Sequence, residues 1–117
     1  MIEPRKFDTG AMRDTEQGKP DYEGFLSSAV LKRYGEYMHQ HRHMADGSVR
    51  DSDNWQRGIP RSVYIKSAWR HFMDWWTAHR NGDTMGLEDA LCALLFNTMG
   101  FLHETLKHKG DDSAQVP

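Results

Sequence analysis

The chain has 117 residues, 38% of them hydrophobic, with fifteen Lys and Arg against seventeen Asp and Glu. That length fits one domain with one modest core, and the low apolar share points to polar ends or to a core completed by a second subunit. The near-balance of charge argues against a dedicated DNA-binding face, a single cysteine, Cys92, excludes an internal disulfide, and residues 1–22 carry no apolar stretch of the kind a signal peptide needs.

The expected product is a soluble, cytoplasmic, all-α single domain over residues 1–117. Flexible tails are expected at 1–9 and 109–117, and Cys92 serves as a small core residue in a reducing compartment. Neither a nucleic-acid polymer nor a membrane is expected as a partner.

Residues 1–24 are polar, are broken by Gly10, Gly18 and Pro20, and show no helical or strand period. A short helix near the amino terminus is compatible with the stretch that follows. The first main helix is predicted from about Ser27 to Met44, capped by Ser27 or Ser28, with Val30, Tyr34, Tyr37, Met38 and His41 as its buried stripe. Glu36, His39 and His43 share one face of it. Two histidines at i,i+4 have the reach for zinc, but without HExxH or paired cysteines a hydrated polar face is the better reading. Glu36 turned inward as a magnesium ligand is the sharper alternative. Residues 45–53 read as a polar loop with a turn at Asp46-Gly47, and it ends on Asn54-Trp55, where Trp55 is suited to contact a base or ribose.

The second helix is predicted to begin near Pro60 and to stop at Asn81-Gly82, with Tyr64, Ala68, Phe72, Trp75 and Trp76 in helical phase. Within it Arg70 and Asp74 are i,i+4 neighbours that suit a surface ion pair, while Arg70 also offers a planar fork to a phosphate. His71 reads either as a satisfied core histidine or as a catalytic one. The third helix is predicted from Leu87 or Glu88 to His108, the most apolar run of the chain, and is read as a buried helix rather than a membrane span. Asp89, Ala93, Asn97 and Glu104 fall within roughly 80° around it. Asp89 is either an acid in the first helical turn or, with Asn97, a hard-oxygen ligand for Mg²⁺. The three helices have more aromatic surface than their own interior accommodates, which predicts a homodimer or higher homo-oligomer.

Four segments in order carry a resemblance: GAMRDTEQGKPDY (10–22), DNWQRGIP (53–60), SAWRH (67–71) and EDALCALLFN (88–97). Together they resemble the phage-encoded N-terminal domain family of dATP/dGTP diphosphohydrolases, itself distantly similar to the all-helical MazG-like nucleotide pyrophosphohydrolases. The resemblance spans residues 10–106 and implies Mg²⁺- or Mn²⁺-dependent cleavage of a purine deoxynucleoside triphosphate to monophosphate and pyrophosphate. Carried onto this chain, it assigns Glu36, Asp89 and Asn97 to metal, and Glu36, His71 and Asp89 to catalysis. Arg13, Lys19, Asn54, Trp55 and Arg70 are assigned to substrate. The chain departs from the ExxE and ExxD pattern of the MazG-like enzymes: Glu36 has no second glutamate at i+3, and Cys92 and Ala93 stand where a second acid follows Asp89. A non-catalytic nucleotide-binding or host-interaction module on the same scaffold is therefore the alternative.

Overall fold

The computed structural model describes residues 4–109 and is all-α, with only a short two-stranded sheet in addition to its helices. The chain divides into two compact units, residues 1–31 and residues 32–117. The expected tails at 1–3 and 110–117 lie outside the described residues.

In the first unit the polar arm is built into regular structure. Strand β1 (Arg5–Lys6) pairs antiparallel with β2 (Met12–Arg13), Arg5 facing Arg13. Sequence reasoning saw no strand here because two-residue strands leave no alternation to detect. Arg5 anchors the hairpin: its Nε donates to the Asp14 carbonyl at 2.8 Å and its Nη1 meets Glu16 at 2.8 Å. Helix α1 (Tyr22–Phe25) follows, its Asp21 cap accepting from the Gly24 amide at 3.0 Å.

Helix α2 (Ser28–Gln40) begins where Ser27 Oγ accepts from the Val30 amide at 3.2 Å. It stops four residues short of the predicted end. The backbone at 42–44 is drawn into a small hairpin about Asp46-Gly47: the Met44 amide donates to the Ser48 carbonyl and the Arg50 amide to the Arg42 carbonyl. Asp46 secures the turn by accepting from the Ser48 hydroxyl at 2.6 Å and amide at 2.9 Å. Those bonds hold its carboxyl below the ordinary value. Their contribution is therefore present above the usual carboxylate range and lost as pH falls through the lowered value. Of the predicted stripe, Tyr34, Tyr37 and Met38 are half-buried, whereas Val30 and His41 are exposed.

A 3₁₀ helix (Asn54–Arg57) leads into α3 (Arg61–Asn81), entered from Pro60 and ended by Gly82 at φ 67, a left-handed conformation that favours glycine. Helix α4 (Thr84–Lys107) starts earlier than predicted, because Asp83 is its cap and accepts from the Gly86 amide at 3.0 Å. Glu88 and Asp89 consequently sit in the second turn, so Asp89 is not the first-turn acid that the sequence suggested. By length and composition alone α4 could cross a membrane. Of its six buried residues all but Cys92, namely Ala90, Ala93, Asn97, Gly100 and Glu104, share one arc of roughly 80°. Along that arc α4 packs antiparallel on α3, with Tyr64 lying over Gly100 and Arg61 reaching Thr105.

Cys92 is buried, and burial pushes its thiol up from the ordinary value. Alkylation of the folded chain by iodoacetamide is expected to run at least about a hundredfold slower than in denaturant, because a protonated, covered thiol reacts only through opening. Comparable rates in the two conditions would show that Cys92 is not enclosed.

Candidate functional site

Within residues 32–117 a cavity of about 500 Å³ lies among the end of α2, the 41–52 hairpin, the 3₁₀ helix and α4. Its aromatic wall is made by Tyr37, Trp55 and Phe96, and its cationic side chains are Arg42 and Arg50. Both arginines are fixed at the backbone: the Arg50 amide donates to the Arg42 carbonyl at 2.8 Å, and Arg42 Nε donates to the Arg50 carbonyl at 2.8 Å. Trp55 stands edge-on to Phe96 at 6.1 Å and to His103 at 4.8 Å. The Asp51 carboxylate is engaged by Arg57 at 3.1 Å, which leaves the cationic character of this edge largely uncancelled.

A second cavity, of about 430 Å³, shares Tyr37 and His41 with the first and is lined by His71, Asp74, Asp83 and Asp89. A third, of about 200 Å³, shares Tyr37, Ile59 and Phe96 with the first and adds His71 and Asn97. Tyr37 borders all three. Burial, and then the negative charge of Asp89, push its phenol up from the ordinary value, so it presents a protonated hydroxyl at neutral pH. His41 stacks on Tyr37 at 4.0 Å, and its Nδ1 lies 2.8 Å from the Tyr37 carbonyl.

The acids of α4 are tied to α2. Arg33 Nε meets Glu88 at 2.7 Å and its Nη2 meets Asp89 at 2.8 Å, bonds that hold the guanidinium still more firmly protonated. His71 Nδ1 lies 3.6 Å from Asp74, the acid that sequence spacing had matched with Arg70.

The residues singled out from the sequence are thus distributed. Asn54 and Trp55 line the first cavity. His71 and Asp89 line the second, and His71 and Asn97 the third. Asn97 is buried, and its Nδ2 donates to the Ala93 carbonyl of its own helix at 2.8 Å. Glu36 is exposed and borders none of the three cavities. Arg70 is exposed and likewise borders none of them. Arg13 and Lys19 are exposed residues of the first unit.

Among the described residues no group of three or more His, Cys, Asp or Glu side chains is close enough to share a metal ion. One oxygen of Asp89 is taken by Arg33, and Glu36, Asp89 and Asn97 do not meet in one cavity. As placed, these three do not supply the joint oxygen set that Mg²⁺ or Mn²⁺ takes.

Sequence reasoning missed Arg42 and Arg50 as a pair. A signal for them existed: they stand four residues before Asp46 and three after Gly47, so a hairpin on that turn brings them together. Tyr37 was assigned to the buried stripe, and nothing in the sequence marks it as a cavity wall. Comparisons with family models, with curated proteins and with solved structures each return no match.

Proposed function

We propose that this chain binds a purine deoxynucleotide in the cavity walled by Tyr37, Trp55 and Phe96. The observation that carries the reading is that one cavity of about 500 Å³ holds both an aromatic wall and two backbone-fixed arginines. That is the split chemistry of a nucleotide, an apolar π-face at one end and phosphate charge at the other. Base stacking on an aromatic side chain is worth about 1–3 kcal/mol, and guanidinium–phosphate bonds add charge-assisted terms. The volume lies within the usual range for small-ligand sites. The purine and the deoxyribose come from the resemblance in the four segments, which also suggests a phage-type protein.

Titration calorimetry tests this. Full-length protein is expected to bind dATP or dGTP, to bind deoxyadenosine at least about tenfold more weakly, and to lose the difference as salt rises. Equal affinity for nucleoside and nucleotide, or none for either, would remove the proposal.

Hydrolysis of the bound triphosphate to monophosphate and pyrophosphate is a second reading. It is favoured by the adjoining cavity, where His71, Asp74, Asp83 and Asp89 gather and which shares Tyr37 and His41 with the first. Pyrophosphate release from the bound triphosphate, lost in Asp89→Asn with binding retained, is the result this reading requires. Binding without release leaves the non-catalytic module.

A further inference from the structure

Of the three cavities, the one of about 200 Å³ is lined, among the described residues, by no Lys, Arg, Asp or Glu. It adjoins the aromatic wall, sharing Tyr37, Ile59 and Phe96 with the larger cavity, whereas Arg42 and Arg50 border the larger cavity and not this one. Its volume falls below the usual range for a site that takes a whole small ligand, and its lining lacks the charge that a phosphate or a divalent cation needs. It suits one edge of a ring. Asn97 borders it and is only 5% exposed. The bond from Nδ2 to the Ala93 carbonyl fixes the orientation of the amide, because the flipped amide would set oxygen against oxygen. One N–H and the Oδ1 atom remain, and neither has a hydrogen bond among the described residues. Oδ1 is not one of the enclosed polar atoms that lack a partner, so it opens on cavity space. Asn97 also borders an apolar groove between α3 and α4, but Ala93, which anchors the amide, lines the cavity and not that groove.

Resting on the nucleotide reading above, we infer that this smaller cavity takes the edge of the base and that the Asn97 amide reads the purine 6-position. A ring lying on the wall of Tyr37, Trp55 and Phe96 has one edge at the boundary the two cavities share, and its phosphates toward Arg42 and Arg50. At that boundary Oδ1 accepts from adenine N6–H or from guanine N1–H, while the free N–H donates to adenine N1 or to guanine O6. A buried amide with hydrogen-bonding positions left open is costly, and a base edge that fills them recovers the cost. Asn97 thereby contributes specificity at the end of the ligand remote from the arginines, and not the metal oxygen its spacing from Asp89 suggested.

Calorimetry and ¹⁵N NMR of the full chain test this. The parent is expected to bind 2′-deoxyadenosine about tenfold more tightly than 2′-deoxynebularine, the same nucleoside without its 6-amino group, because Oδ1 then loses its donor. Asn97→Ala is expected to bind the two nucleosides alike, and to bind deoxyadenosine and dATP about tenfold more weakly than the parent does. A purely structural role for Asn97 would weaken both nucleosides and keep the preference between them, which overturns the inference. In the parent, deoxyadenosine is expected to shift the Asn97 side-chain NH₂ signals, and inorganic tripolyphosphate, which has no base, to leave them in place. Signals that move with tripolyphosphate and not with the nucleoside assign Asn97 to the phosphate end and overturn it too. If Asn97→Ala does not fold, the parent's preference and its NH₂ shifts decide. A parent that binds dATP but does not distinguish the two nucleosides overturns this inference alone, whereas a parent that binds no nucleotide removes the proposed function and this inference with it.

Discussion

Gly100→Ala is expected to destabilise the protein by about 2 kcal/mol, lowering Tm by about 10 °C at fixed protein concentration. The cause is one missing atom. A Cβ on Gly100 would meet Tyr64 Cε1 at 2.2 Å, Cζ at 2.3 Å and Oη at 2.7 Å. Tyr64 is 1% exposed and is the largest fully buried side chain, so the added atom forces either its ring to turn or α3 to shift off α4. Overpacking of this kind costs about 3 kcal/mol at the upper end of its usual range, and alanine returns about 1 kcal/mol through helix propensity.

Two companion variants make the assignment specific. The Tyr64 hydroxyl is buried and has no hydrogen-bond partner among the described residues, so Tyr64→Phe is expected to be neutral or mildly stabilising. In a Tyr64→Leu background the clashing ring atoms are gone, and adding Gly100→Ala should then cost less by at least about 1 kcal/mol. Urea unfolding of the parent, the three single variants and the double variant measures all of these terms. Simple additivity, or an alanine variant as stable as the parent, would show that α3 and α4 do not approach this closely.

Helices α2, α3 and α4 were legible because their signals are local and redundant. Pro60 and Gly82 bracket α3, and the apolar positions between them keep one phase. The errors arose where two signals competed. Asp83, Glu88 and Asp89 all suit a helix start, and sequence preference cannot tell which carboxylate bonds the amide three residues on; the structure gives that place to Asp83. At the end of α2 the helical stripe continues through His41, yet the Asp46-Gly47 turn claims the backbone groups of residues 42–50. The cavity was half legible. Asn54 and Trp55 are conspicuous as polar and aromatic neighbours at a loop end, whereas the Arg42–Arg50 pair exists only once the hairpin closes. The acids were read from their spacing on single helices, and spacing on one helix says nothing about a partner on another. Arg33, on α2, is what engages Glu88 and Asp89.

Arg50→Gln is expected to weaken triphosphate binding by about ten- to a hundredfold, the loss of a charge-assisted bond to phosphate, while leaving nucleoside binding within about twofold. Arg50 is the informative arginine. Its side chain makes no ion pair among the described residues, so removing the charge disturbs no fold contact, and stability should stay within about 0.5 kcal/mol. Arg42 is less clean, because its Nε already holds the Arg50 carbonyl and its loss would loosen the hairpin itself. Trp55→Ala is expected to behave differently again. It should weaken nucleoside and triphosphate by the same factor, about tenfold, since stacking does not depend on the phosphates. It should also cost stability, because Trp55 packs on Phe96 and His103. The two variants thus separate the ends of the ligand, charge at Arg50 and ring at Trp55. Raising salt should shrink the Arg50 effect and leave the Trp55 effect intact, since only the former is screened. Should Arg50→Gln bind triphosphate like the parent, the phosphates are not at this edge of the cavity, and the orientation of the ligand has to be reversed or the site abandoned.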